Sequence, residues 1–160
     1  MLNVLEWSFI MLKKIAVVFA AAVLLSGCSS STNKSAGSIS DHDRQIEEFG
    51  RTVGEKVLFA YNSSTLSADA QKTLANQAKW LGEYKSFNAT VEGHCDERGT
   101  REYNIALGER RGNAIKAFFA KHGVPSDRIN VISYGKERPA VMGNDEAAWK
   151  QNRRGVTVLK

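Results

Sequence analysis

The chain has 160 residues, 22 of them basic and 17 acidic, for a formal net charge of +5. So mild and interspersed an excess gives no nucleic-acid-binding stripe, and two cysteines cannot build a disulfide framework. The length suits one domain with one core plus a leader or tether.

From the N-terminus, Lys13 and Lys14 precede the uncharged apolar run Ile15 to Leu25, and small residues Ser26 and Gly27 lead to Cys28. A basic patch, a short apolar stretch and a small-residue exit read as a secretory signal over residues 1–27. The run is shorter than the roughly 20 apolar residues that span a bilayer. Leu25-Ser26-Gly27-Cys28 resembles a bacterial lipobox. That resemblance implies acylation of Cys28, palmitate included, and makes Cys28 the first mature residue. An ordinary signal with a chance cysteine is the alternative. Ser29 stands where an aspartate would retain such a lipoprotein in the inner membrane, so the expected destination is the outer membrane, facing the periplasm of a Gram-negative cell. Glu6 and Trp7 fit a signal poorly, whereas Met11-Leu12-Lys13-Lys14 opens like a true start, so residues 1–10 are expected to lie upstream of it.

Loss of residues 1–27 leaves 20 basic and 16 acidic residues, a net +4. That charge suits a polyanionic wall polymer and equally suits mere solubility. Cys95 is then left without an intramolecular partner, and burial is its expected protection.

Ser29 to Asp43 is serine-rich and lacks apolar periodicity, so it reads as a flexible tether. Residues 28–52 are assigned to lipidated cysteine plus tether, and 53–160 to the folded domain. Lys56–Tyr61 reads as a first strand. Ser67 is a good N-cap for a helix running to about Tyr84, with Ala70, Leu74, Ala78 and Leu81 on one face. Asn88–Gly93 is a second strand. A long helix is expected from about Thr100 to Lys121, stopping at Gly123 with Pro125 beyond. Arg128–Tyr134 is a third strand, Asp145–Gln151 a short helix and Gly155–Leu159 a last strand. Strands separated by helices of this length imply crossover connections and an α/β sheet with helices packed on it.

The stretch Val91-Glu92-Gly93-His94-Cys95-Asp96-Glu97-Arg98-Gly99-Thr100 runs from a strand end into a helix start, where rigid elements hold polar groups outward. In the following helix an apolar stripe Tyr103, Leu107, Ala114, Phe118 is interrupted at Arg111, and Asn104 lies on the same line. An arginine on a buried stripe needs an anionic partner. Gly108, one turn back, leaves room for a close approach. Asp96 and Arg111 bordering one pocket would suit a ligand carrying ammonium and carboxylate together. On spacing alone, the simpler reading is that the two pair with each other.

The run GHCDERGTREYNIALGERRGNAI resembles the signature of the OmpA-like peptidoglycan-binding domain family, and more narrowly its peptidoglycan-associated lipoprotein branch in the Tol–Pal system. Ser133–Pro139 and Asn152-Arg153-Arg154 extend the likeness, which covers roughly Val53 to Lys160. It implies a two-layer α/β sandwich, a βαβαβ core with a short extra helix and a last strand. It further implies non-covalent binding of peptidoglycan through meso-diaminopimelate, a link between outer membrane and wall, and a role in envelope integrity and constriction at cell division. Asp96 matches the aspartate expected to take the ligand ammonium, Arg111 the arginine expected to take its carboxylate, and Asn104 the asparagine expected to brace the pocket. The family's aromatic-acidic pocket wall corresponds to Phe59-Ala60-Tyr61-Asn62, where one or two aspartates are missing. Gly112 replaces a common alanine, a change expected to cost only helix propensity.

Catalysis by Cys95 would need a histidine adjacent in space, and His94 as a sequence neighbour points the other way. His94, Cys95, Asp96 and His122 lack metal-ligand spacing, so neither enzyme nor cofactor is called for. His42 is expected to be solvated in the tether, Arg153 and Arg154 to anchor a loop or flank the last strand, with lining the wall-facing side as the alternative, and Trp80 and Trp149 to pack or lie at the surface. The alternative function implied by the resemblance is an adaptor for the periplasmic propeller protein TolB with weak wall binding.

Overall fold

The computed structural model describes residues 40–160. The expected signal, Cys28 and the tether up to residue 39 lie outside the described residues. Helix α1 (Asp41–Glu48) runs into a wide π-type turn (Phe49–Val53). There follow β1 (Lys56–Leu58), α2 (Ala68–Glu83), β2 (Ala89–His94), α3 (Arg101–Lys121), a 3-10 turn (Ser126–Arg128), β3 (Ile129–Gly135), α4 (Glu146–Asn152) and β4 (Arg154–Leu159).

The helix starts are set by side chains that satisfy otherwise unpaired N–H groups. Ser67 accepts from the Ala70 amide, Thr100 from Tyr103 and Asp145 from Ala148. Helix α3 stops where Gly123 takes φ 86°, a left-handed conformation that lets the Val124 amide reach back to the Phe119 carbonyl.

The sheet order is β1-β4-β2-β3. The last strand is central: β4 lies antiparallel to both β1 and β2, and β2 is parallel to β3 across α3. Helices α2 and α3 touch each other and cover the sheet, giving the two-layer sandwich. Leu74, Leu81, Phe87, Val91, Ile115, Phe119 and Ile129 are buried between the layers.

Three local expectations are corrected. The first strand ends at Leu58 rather than Tyr61. The Phe59 amide makes a last backbone bond to the Arg153 carbonyl, after which arginine side chains, not a neighbouring strand, take the carbonyls of Phe59 and Ala60. The buried stripe of α3 is Asn104, Leu107, Gly108, Arg111, Gly112, Ile115 and Phe119, one position round from the apolar line read in the sequence, and Tyr103 is 44 % exposed. Small residues turn the helix this way. A Cβ on Gly93 would lie 1.9 Å from the Gly108 carbonyl oxygen, and one on Gly112 would lie 2.4 Å from Val131 Cγ1. Gly112 therefore sets a helix-to-sheet distance and is more than a loss of propensity.

Residues 41–53 are helical and docked rather than part of a free leash. Ser40 caps α1, Phe49 is buried edge-on against Trp80 at 5.0 Å between ring centroids, and His42 stacks on Phe87 at 4.4 Å. Ile46 and Val53 also pack on the core. His42, Ile46, Phe49 and Val53 recur at spacings of four, three and four. That is one helical face, sparse enough to be hidden by the polar residues between.

Candidate functional site

Strand polarity gathers the site at one edge of the sheet. β1 and β2 end where β4 begins: Leu58 pairs with Arg154 and Gly93 with Gly155. The segments Phe59–Ser63 and Cys95–Thr100 and the residue Arg153 thus converge, and α3 passes beneath them. Together they enclose a pocket of about 330 Å³ lined by Tyr61, Asn62, Asp96, Arg98, Asn104 and Arg111, with Arg153 at its base.

Asp96 is buried, and its two carboxylate oxygens accept four hydrogen bonds. Oδ1 takes the Arg98 amide (3.2 Å) and Arg98 Nε (3.3 Å), and Oδ2 takes Arg98 Nη2 (2.6 Å) and Arg153 Nη1 (3.3 Å). Burial alone would raise this carboxyl, but the bonds from Arg98 and Arg153 outweigh it and hold the pKa below its ordinary 3.8. Asp96 is therefore an anion at any physiological pH.

Arg111 is fully buried and held by carbonyls: Nε donates to Ser63 (2.8 Å), Nη1 to His94 (2.7 Å) and Nη2 to Ala60 (3.1 Å). Nη1 also contacts Cys95 Sγ at 3.4 Å. Four of the five N–H groups of a guanidinium are thus engaged, and one on Nη2 has no protein acceptor among the described residues. No ion pair joins Asp96 to Arg111 there, so the reading in which they simply neutralise each other falls away.

Asn104 Nδ2 donates to the carbonyls of Arg98 (2.8 Å) and Thr100 (3.0 Å), and Lys136 Nζ to those of Glu97 and Gly99, which fixes the loop ahead of α3. Of the wall segment, Tyr61 and Asn62 present side chains to the pocket, while Phe59 and Ala60 contribute carbonyls to Arg153 and Arg111. Asn62 adopts φ 51°, and its side chain bonds the Tyr103 hydroxyl.

Sequence reasoning gave no role to one participant, Arg98, and left that of a second, Arg153, open. Arg98 lies between the rings of Tyr61 (4.1 Å) and Trp149 (3.9 Å) while gripping Asp96. Arg153 is buried and bonds Asp96, the Phe59 carbonyl and Glu146. Arg98 was visible inside the quoted loop, and Arg153 within Asn152-Arg153-Arg154. What one dimension hides is that both point at the same carboxylate.

Cys95 donates to the Asn104 carbonyl at 3.3 Å, and burial pushes its thiol pKa up, the opposite of what a nucleophile needs. The His94 ring is buried, and burial followed by the charge of Arg154 lowers its pKa to about 4. Its 3.4 Å contact with Glu92 is therefore a hydrogen bond of a neutral ring at neutral pH.

The OmpA family model matches residues 58–153. A peptidoglycan-associated lipoprotein of Agrobacterium fabrum is 45% identical over 151 residues, covering 89% of this chain and 85% of that protein. One from Brucella melitensis is 43% identical over 152 residues, covering 91% and 90%. Among solved structures, the peptidoglycan-associated lipoprotein of Burkholderia pseudomallei superposes with a TM-score of 0.67 at 34% identity, over 69% of this chain and 96% of that one.

Proposed function

Because the chain belongs to the OmpA family and, within it, to the peptidoglycan-associated lipoproteins, we propose that its pocket grips the peptide stem of peptidoglycan without covalent bonding. The ligand end is the side chain of meso-diaminopimelate, which carries an ammonium and a carboxylate on one carbon. One observation carries this reading: Asp96 and Arg111 border one pocket without pairing with each other. The carboxylate offers a site for the ammonium, and the remaining Nη2–H of Arg111 points to a role for the ligand carboxylate. Asn104 acts through the loop it ties. The chemistry is recognition, since the one thiol in the pocket is held protonated.

With Cys28 lipidated, the domain would hold the outer membrane to the wall as part of the Tol–Pal system. Many weak and reversible grips then make a firm link that can still be remodelled. A second reading has its own observation: Tyr61 and Tyr103 stand 61 % and 44 % exposed at the pocket, an aromatic rim a protein partner could cover. TolB docking there would compete with the wall.

Calorimetric titration of the full chain in detergent with a diaminopimelate-containing stem peptide tests the proposal. Saturable binding, abolished in Asp96→Asn, is the expected result. No heat from a chain with native near-ultraviolet circular dichroism would remove the wall-binding reading and leave the adaptor.

A further inference from the structure

The pocket already contains a cation in the place the ligand ammonium needs. Asp96 accepts four hydrogen bonds, about the full lone-pair capacity of a carboxylate. Three of the four come from Arg98. An ammonium cannot be added to this carboxylate; something has to leave.

The three arginines differ in their freedom to do so. Arg111 is clamped by three carbonyls, and Arg153, 6 % exposed, is held by the Phe59 carbonyl and Glu146 as well as by Asp96. The Arg98 side chain is 30 % exposed and spans the gap between two aromatic rings contributed by separate segments. Ring faces attract a guanidinium without fixing its position along them. They form a track on which Arg98 can slide outward and still be stabilised.

We propose that Arg98 is an internal occupant of the ammonium site and that the ligand enters by exchanging ion pairs with it. This rests on the reading of the pocket given above. The ligand ammonium takes Asp96, and the displaced Arg98 fork takes the ligand carboxylate together with the last N–H of Arg111. Two ion pairs form for the one that breaks.

Arg98 thereby becomes a specificity-determining residue. A ligand bringing an ammonium without a carboxylate would leave Arg98 unpaired in a pocket that also holds Arg111 and Arg153, with the largely exposed Glu146 at 4.0 Å as its nearest compensation. A ligand bringing both charges repairs the loss it causes. Discrimination between a diaminopimelate stem and a lysine stem follows from that arithmetic of charges.

The test uses the full chain in detergent, with two otherwise identical stem peptides ending in diaminopimelate or lysine, titrated into wild type and Arg98→Gln. The half-exposed position lets the variant fold, which near-ultraviolet circular dichroism checks. In Arg98→Gln the lysine stem should bind more tightly, because Asp96 has lost its competitor, while the diaminopimelate stem loses a carboxylate fork. The ratio of the two affinities should fall about tenfold or more, the loss expected from one charge-assisted hydrogen bond. A wild type that discriminates and a variant with the same ratio would overturn the exchange while leaving the binding site standing. Equal binding of both stems by wild type would do the same. Binding of neither stem by wild type would remove the wall-binding reading and the exchange with it.

Discussion

Arg111→Leu is the substitution that a ligand-binding role would suggest first, and the structure says it does more than remove a ligand contact. The side chain is fully buried and spans three segments: the carbonyls of Ala60 and Ser63 after β1, and that of His94 at the end of β2. Leucine fills part of the volume and bonds none of them. The His94 carbonyl, the buried acceptor of the three, is orphaned at about 1–3 kcal/mol, while the exposed Ala60 carbonyl keeps the Ser63 amide and the half-buried Ser63 carbonyl can turn to water. Against that total stands the desolvation of the guanidinium, whose pKa burial lowers and which leucine no longer has to bury. The net should lie near 1–3 kcal/mol, a sizeable part of a domain's total stability of about 5–15 kcal/mol. Urea unfolding followed by tryptophan fluorescence, with Trp80 in the core and Trp149 at the pocket, reads it directly. A midpoint within about 1 kcal/mol of wild type at unchanged slope would refute the account of Arg111 as a structural clamp. Loss of ligand binding in this variant is accordingly ambiguous by itself. Asp96→Asn and Arg98→Gln, which leave the carbonyl clamp intact, are the variants that speak to recognition.

Gly112→Ala should destabilise by about 1–3 kcal/mol through overpacking on Val131, and Val131→Ala in the same chain should recover much of the loss; additive effects in chemical denaturation would mean the contact is not the cause. The buried His94 ring faces Arg154 of β4, Arg138 and Tyr134 beyond and within β3, and Glu92 of its own strand, and it stays neutral down to about pH 4. The unfolded ring takes a proton below 6.5, so stability is full above pH 6.5 and falls by about 3 kcal/mol as pH drops to 4; His94→Asn should flatten that window, and an unchanged pH profile would count against it. Phe49→Ala should cost about 3 kcal/mol and release α1 from Trp80, seen as faster amide exchange in residues 41–53; protection equal to wild type would show that the helix does not depend on this ring.

The element order was readable because each helix begins on a capping side chain and each strand is bounded by turn residues, as at Ser67, Thr100 and Gly123. Arg111 was readable as an anomaly on a buried stripe. Three things were not. The stripe on α3 was misplaced by one position because glycine carries no hydrophobic signal, although Gly108 and Gly112 are what bring the helix down onto the sheet. Helix α1 and the turn after it were missed because their docking face is four residues among eight polar or charged neighbours and one glycine, and the rings it packs on, Trp80 and Phe87, lie more than thirty residues on. The partners Asp96 has within the chain went unread, because Arg98 sits two residues away in the same loop and Arg153 arrives from the far end of the chain.

The last of these bears on the substituted pocket wall. Ala60 and Asn62 stand where acidic side chains were expected. In the structure Phe59, Ala60 and Ser63 meet the arginines with backbone carbonyls. A carbonyl is present whatever residue occupies the position, so the clamp on Arg111 and Arg153 is indifferent to the side chains lost. What an aspartate at Ala60 or Asn62 would change is the charge balance. Asp96 and Glu146 face the three guanidiniums of Arg98, Arg111 and Arg153, one positive charge in excess. An added carboxylate would cancel that excess and give Arg98 an alternative anion, easing its release from Asp96. The alanine and asparagine found here leave Arg98 dependent on an anion brought from outside, which is the condition for a pocket that answers to a zwitterion and ignores a bare amine.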